Sequence, residues 1–322
     1  MSKPKVAFYW CASCGGCEEA VVDLNEDVVK VTQAVDIVFW PVALDTKYSD
    51  VEKMADGEIT VSFINGAVRL DEQEEISGLL RRKSQIVIAF GSCAHTGGIP
   101  ALGNLSSREE LLDRAFFDVP TVVNPLRLLP QTSTQVEGKT LTLPGFHGSV
   151  KQLDEVIDVD YYLPGCPPQP DTIRDALGAL LSGKLPPKGS VLSPTKSLCS
   201  TCSRNETKPE EIAIGAFRRV HEVTVPGSEC FLAHGVFCAG IGTRSGCGEK
   251  CMSANMPCRG CYGACDGVED QGAALLSALG GLMRTRDEAQ LQSIVASFDD
   301  PVGTLYRFSL ASSLAHRGKI IR

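Results

Sequence analysis

The chain has 322 residues, and its 39 acidic against 31 basic side chains give a formal net charge of -8. Nucleic acids and anionic membranes favour clustered Lys and Arg, so neither is expected as a principal partner. Residues 1–10 lead into an apolar stretch without a charged leader, a long apolar segment or a twin-arginine pair, so we expect a cytoplasmic protein. In that reducing compartment the 14 cysteines should be free thiols rather than disulfides.

Residues 4–183 alternate short apolar segments, which predict strands, with amphipathic segments, which predict helices. Strands are predicted at 5–10, 35–44, 58–65, 85–90, 120–125 and 159–163, and helices at 18–31, 72–82, 106–117, 150–157 and 170–181. Repeated strand-helix units with nearly continuous apolar strands indicate an α/β fold with a mainly parallel sheet covered on both faces.

A turn-rich stretch at 182–194 marks the predicted domain boundary. We predict an α/β domain at 1–183, a linker at 184–194 and a small cysteine-rich domain at 195–322. The latter has predicted helices only at 208–219, 273–283 and 288–297. A segment this poor in long apolar runs is expected to use inorganic clusters as its core.

Four dispersed cysteines each follow the carboxyl end of a predicted strand. They are Cys14, Cys17, Cys93 and Cys166. In an open α/β sheet those ends form one rim, where ligands collect. Because a 4Fe-4S cluster takes four thiolates that can come from several loops, these residues predict one such cluster.

Nine further cysteines form a dense run, which is one more than two sets of four. They are Cys199, Cys202, Cys230, Cys238, Cys247, Cys251, Cys258, Cys261 and Cys265. The alternative for the Cys-x2-Cys pairs is structural zinc, for which Cys199, Cys202, Cys258 and Cys261 would make a tetrahedral set. Zinc would leave five nearby thiols unexplained.

Three short motifs carry a family resemblance. They are Cys14-Gly-Gly-Cys17-Glu18, Gly91-Ser-Cys93-Ala94 and Pro164-Gly-Cys166-Pro-Pro168. They resemble, in order and separation, the proximal-cluster motifs of the small, electron-transferring subunit of nickel-iron hydrogenases. The resemblance implies a flavodoxin-like domain whose cluster faces the nickel-iron site of a separate large subunit.

The dense run resembles the same family. The resemblance implies a distal cluster on Cys199, Cys202, Cys230 and Cys238, a medial cluster on Cys247, Cys251, Cys258 and Cys261, and Cys265 left over. Cys199 stands where the best-known members have histidine, and Cys251 offers a fourth thiolate where some have a three-iron cluster. All-thiolate ligation predicts three 4Fe-4S clusters in total, with low potentials at the outer two.

The stretches around Cys247 and Cys261 look most like those of the methyl-viologen-reducing type of hydrogenase. That type takes part in methanogenesis and partners heterodisulfide reductase. The implied partners are a nickel-iron large subunit, a small iron-sulfur subunit and heterodisulfide reductase, without a membrane. No cysteine follows Asp300, where a nickel-iron subunit would need a Cys-x2-Cys pair, so we expect a non-catalytic electron-transfer subunit. The rivals are a subunit of a respiratory NADH:quinone oxidoreductase-like or membrane hydrogenase complex, and a zinc-stabilised scaffold.

Several residues keep two interpretations. Cys11 is either a small buried apolar residue or a competing ligand. Glu18 either offsets the helix dipole or takes part in proton traffic at the large-subunit interface, a role suggested by the resemblance. His95 is either a neighbour of the first cluster or a surface residue. The remaining histidines, His147, His221, His234 and His316, lack ligand spacing and are expected to be ordinary surface or core residues.

Overall fold

A computed structural model of the protein describes residues 3–315, so His316 lies outside the described residues. Its central sheet has five parallel strands in the order β2-β1-β3-β5-β9. They are β1 (Lys5–Trp10), β2 (Asp36–Phe39), β3 (Ile59–Asn65), β5 (Ser84–Phe90) and β9 (Tyr161–Leu163). Numbered within the sheet alone, this order is 2-1-3-4-5, which is the flavodoxin-like order. The predicted α/β fold is therefore confirmed.

Helices surround this sheet. They are α1 (Gly16–Val22), α2 (Asp27–Ala34), α3 (Tyr48–Glu52), α4 (Asp71–Lys83), α5 (Ser92–Thr96), α6 (Arg108–Asp113) and α7 (Pro170–Ser182). Successive residues of β3 point to opposite faces, so Phe63 packs in one apolar cluster with Ile173 and Ile64 in another with Leu80. A strand buried on both faces reads as a continuous apolar run, which is why the sequence identified it.

Two antiparallel pairs lie outside the main sheet. The strand β4 (Val68–Leu70) pairs with β8 (Phe146–Lys151), and β6 (Ser133–Val136) forms a hairpin with β7 (Lys139–Thr142). Glu137 and Gly138 at the hairpin turn have φ of 50° and 76°, the left-handed pair that a tight two-residue hairpin needs. Every residue of the two hairpin strands is exposed.

The cysteine-rich part consists of short turns and the helices α8 (Lys250–Ser253), α9 (Gln271–Gly280), α10 (Glu288–Ala296) and α11 (Pro301–Leu305). Its apolar core includes Phe231 and Leu275, and five cysteines pack in or against it. In the predicted linker, Leu192 N–H donates to Tyr162 O at 2.7 Å, and Tyr162 N–H donates to Ser190 O at 3.1 Å. Residues 190–192 thus extend the sheet beside β9, while the domain limits themselves stay a prediction.

Four predicted elements are wrong. The helix predicted at 18–31 is two helices, because Asn25 between them has a φ of 55°. Residues 120–125 form no strand, and residues 150–157 contain the end of β8 and a short 3-10 turn instead of a helix. Residues 208–219 contain no helix. There Ile212, Ile214 and Phe217 are buried from an irregular segment, so their spacing mimics a helix face.

Candidate metal centres

The first quartet, Cys14, Cys17, Cys93 and Cys166, lies at the carboxyl rim of the sheet. The loops after β5 and β9 are joined there, because Ser92 N–H donates to Gly165 O at 2.8 Å. Gly91 has a φ of 88°, and a Cβ at this position would lie 2.4 Å from Cys17 Sγ. Only glycine therefore allows the β5 loop to approach Cys17 this closely.

The four thiols of the first quartet are close enough for their charges to interact. Burial raises the pKa of Cys17, and Cys93, Cys166 and Cys14 raise it further. Burial likewise raises the pKa of Cys93 to about 12, again with contributions from Cys166 and Cys14. Four thiolates cannot share this pocket without a compensating positive charge, which is the electrostatic situation that bound iron relieves.

The outer quartet, Cys199, Cys202, Cys230 and Cys238, lines a cavity of about 200 Å³. Burial raises the pKa of Cys199 to about 12, with further contributions from Cys238, Cys230 and Cys202. A Cβ at Gly240 would lie 3.6 Å from Cys238 Sγ and 3.7 Å from Cys199 Sγ, so this glycine borders both thiols. The cavity and the convergent donors fit an inorganic cluster in place of a side-chain core.

The middle quartet is Cys247, Cys251, Cys258 and Cys261. Burial raises the pKa of Cys261 to about 12, and Cys247 and Cys251 contribute to the increase. Burial also raises the pKa of Cys258, with contributions from Cys238, Cys261 and Cys247. The thiols of each predicted group thus lie within electrostatic reach of one another, and the assignment of these twelve cysteines as ligands stays a prediction.

The quartets also touch one another in a fixed order. The Cys166 thiol contributes to the raised pKa of Cys261, which links the first quartet to the middle one. The Cys258 N–H donates to Cys238 Sγ at 3.3 Å, which links the middle quartet to the outer one. The three quartets thus follow one another as first, middle and outer.

The four cysteines of the zinc alternative fall into two different quartets. Cys199 and Cys202 belong to the outer quartet, whereas Cys258 and Cys261 belong to the middle one. Within residues 3–315, no three His, Cys, Asp or Glu side chains are close enough to hold a single metal ion. A cubane of four irons is larger than one ion and accepts thiols that stand further apart.

The two remaining cysteines lie apart from the quartets. Cys11 is 3% exposed in an apolar core, and its Sγ is 3.5 Å from Ser77 Oγ. Burial raises its pKa to about 12. Cys265 is half-buried beside Arg244, whose charge opposes the rise in its pKa caused by burial. These positions agree with the interpretation that neither thiol is a ligand.

Glu18 and His95 are both enclosed near the first quartet. Glu18 is 5% exposed and accepts a hydrogen bond from Trp40 Nε1 at 3.2 Å. Burial raises the pKa of Glu18, although its hydrogen bonds oppose the change. The half-buried His95 ring lies 4.8 Å from the Tyr162 ring, and burial together with Arg244 lowers its pKa to about 4. His95 is therefore a neutral packing residue between the two halves of the chain.

Sequence reasoning missed the side chains that join the quartets. Ser92 donates to Cys261 O at 2.5 Å, and Tyr262 is fully buried against Thr172. Two of these, Ser92 and Tyr262, stand next to a predicted ligand, which is the only signal that could have singled them out.

Comparison with known proteins agrees with this architecture. Residues 14–180 match the family described as NADH ubiquinone oxidoreductase, 20 Kd subunit. The iron-sulfur subunit of the F420-non-reducing hydrogenase of Archaeoglobus profundus is 38% identical over 97% of this chain and 98% of its own length. The corresponding F420-non-reducing hydrogenase subunit of Methanothermobacter thermautotrophicus is 36% identical over 97% of this chain and 96% of its own length. The chain belongs to this family of F420-non-reducing hydrogenase subunits.

The resemblance to hydrogenase small subunits is thereby confirmed, since these hydrogenase relatives extend over both the sheet and the cysteine-rich part. The match to the 20 Kd respiratory family covers the sheet region, with the first quartet, and ends before the outer and middle quartets. A NiFeSe hydrogenase of Desulfovibrio vulgaris Hildenborough shares the fold, with a TM-score of 0.52 at 16% identity over 81% of this chain and 94% of that one. In residues 3–315 no helix is both long and apolar enough to cross a membrane.

Proposed function

We propose that this hydrogenase subunit relays electrons from hydrogen oxidation in a nickel-iron large subunit, through three 4Fe-4S clusters held by the first, middle and outer quartets. The proposal rests above all on the ordered contacts between quartets, Cys166 with Cys261 and Cys258 with Cys238. A 4Fe-4S cluster accepts and donates single electrons. Catalysis on hydrogen belongs to the partner, and this chain contributes placement and tuning.

The chain's own residues tune each quartet. Glycines at 91 and 240 leave room beside the thiols. Backbone amides oppose the rise in pKa at Cys238 and Cys258, so they already stabilise negative charge on these sulfurs. Cys199 supplies a thiolate where other hydrogenases have histidine, and all-thiolate ligation favours a low potential at the outer quartet.

An exposed apolar segment that precedes β8 supports docking of the large subunit. We call residues 119–146 the apolar arm. Val123, Leu126 and Leu128 within it are 92%, 76% and 64% exposed. Contiguous exposed apolar surface typically marks a protein interface.

The strand that follows the arm is hydrogen-bonded to the segment that follows Cys93. Asn104 Nδ2 donates to Val150 O at 2.9 Å, and Val150 N–H donates to Asn104 Oδ1 at 2.7 Å. Val150 belongs to β8, which begins at the last residue of the arm. Asn104 belongs to the 3-10 helix Ile99–Leu105, which follows the helix that carries Cys93.

We propose that electrons leave the outer quartet toward a small iron-sulfur subunit and heterodisulfide reductase, as in the methyl-viologen-reducing type of hydrogenase. We place the complex in the cytoplasm, where thiols are kept reduced and available for iron. Glu18 is proposed to hold a proton near the large-subunit interface, since burial raises its carboxyl pKa.

Reduction by hydrogen tests this function. The anaerobically purified complex of this chain with its large subunit is exposed to hydrogen or to argon, and iron-sulfur EPR signals are recorded. We expect reduced-cluster signals under hydrogen only, and none when this chain is treated without the large subunit. Clusters that stay oxidised under hydrogen in an intact complex would contradict the relay.

A further inference from the structure

The Tyr262 side chain lies between the loops of the first and middle quartets. It is 1% exposed, and its hydroxyl accepts a hydrogen bond from Gln169 N–H at 3.1 Å and lies 2.9 Å from Thr172 Oγ1. Thr172 Oγ1 donates to Gly246 O at 3.2 Å. Because threonine has a single hydroxyl proton, Tyr262 must be the donor in its bond with Thr172. Every member of this small network then has a defined role.

The network joins three loops that carry predicted ligands. Gln169 and Thr172 lie at the start of α7, shortly after Cys166 of the first quartet. Gly246 directly precedes Cys247, and Tyr262 directly follows Cys261, both of the middle quartet. One phenol thus connects the Cys166 loop with the two loops that open and close the middle quartet.

A second contact holds the same segment from the other side. Ser92, which precedes Cys93 and is 2% exposed, donates its hydroxyl to Cys261 O at 2.5 Å. The Cys166 backbone amide also forms a hydrogen bond that opposes the rise in the pKa of Cys261. The segment 261–262 is therefore fixed against two loops of the first quartet at once.

We propose that Tyr262 is a positioning residue that sets the separation between the first and middle quartets, with Ser92 as the second fixing point. The inference rests on the proposed relay, because only electron transfer makes that separation important. Phenylalanine would keep the ring and its packing but remove both hydrogen bonds.

The test compares Tyr262→Phe with wild type in the anaerobically prepared full chain bound to its large subunit. Amide hydrogen exchange is measured at residues 164–172 and 260–264, and the magnetic interaction between reduced clusters is measured by EPR. We expect exchange there to rise about fivefold, as for the loss of roughly one net hydrogen bond, and the magnetic interaction to weaken at unchanged iron content. Thr172→Val, which also removes the link to Gly246, should have the same effect.

The matched control is Tyr306→Phe, which removes a half-buried hydroxyl that lies 3.4 Å from Asp270 Oδ2, a hydrogen bond that joins no two quartet loops. It should leave both measurements at wild-type values. Unchanged exchange and magnetic interaction in both Tyr262→Phe and Thr172→Val would overturn the inference. Loss of iron from both variants would also overturn it, because Tyr262 would then be needed to assemble a cluster rather than to space two clusters. Failure of the relay itself is distinguishable, since wild-type protein would then show no interacting clusters.

Discussion

The Cys258 backbone amide donates a hydrogen bond to the Cys238 sulfur at 3.3 Å. This bond joins residues of two different quartets, so the outer and middle groups share a boundary rather than lying in separate lobes. An amide that stabilises negative charge on a ligand sulfur raises the reduction potential of the cluster it serves. If the proposed clusters are bound, the same backbone group would space the two sites and raise the potential of the outer one.

Replacement of one outer ligand should affect one cluster. We expect Cys199→Ser to remove a single EPR signal and to leave the signals of the first and middle quartets intact, because Cys199 interacts with Cys202, Cys230 and Cys238. The matched control is Cys265→Ser, since Cys265 lies beside Arg244 and outside the quartets. Loss of the first-quartet signal in Cys199→Ser, or of iron in Cys265→Ser, would show that the ligands are partitioned differently.

Cys11 should be a structural residue. Its thiol is buried against Ser77, so Cys11→Ala should lower the free energy of unfolding by about 1 kcal/mol through lost packing. Iron content measured on the same preparation should match wild type. A fall in iron would contradict this account, because Cys11 would then be a ligand after all.

The buried Asp160 makes stability depend on pH. Burial alone raises its pKa, but the contacts with Lys188, Arg81 and the Val87 amide outweigh burial and hold the pKa below its usual range. The ion pair with Arg81 is 2.6 Å long. A lowered folded-state pKa stabilises the protein above the unfolded-state pKa, and this contribution disappears as pH falls through the folded-state pKa.

Acid titration of Asp160→Asn checks this prediction. We expect the variant to lose roughly 2 kcal/mol near neutral pH, because Arg81 and Lys188 lose a charged partner. The difference from wild type should shrink as denaturation is measured at progressively lower pH. A difference that stays constant down to strongly acidic pH would contradict the linkage.

The apolar arm should be needed for association with the large subunit. Polar replacement of two exposed leucines, in the double variant Leu126→Ser with Leu128→Ser, should reduce large-subunit co-purification at least tenfold, a loss of about 1.4 kcal/mol. The control is Leu181→Ser on α7, which removes a leucine that is 54% exposed outside the arm. Equal recovery of the large subunit with the double variant and the control would exclude the arm from the interface.

The sequence predicted the sheet well because strands buried on both faces, such as β3 and β5, stand out as continuous apolar runs. It also predicted which cysteines converge on the rim, since parallel strands end at one edge. The segment around Ile212 and Ile214 was misassigned, because its buried residues contact Leu282 and other distant residues rather than following a helix of their own. Residues such as Tyr262 were missed because their partners lie about ninety positions away.

Iron and acid-labile sulfide in the anaerobically prepared full chain test the central claim most directly. Three quartets that each hold a 4Fe-4S cluster predict about twelve irons per chain with matching sulfide. Correctly folded protein that contains one or two zinc ions and no iron would contradict the account.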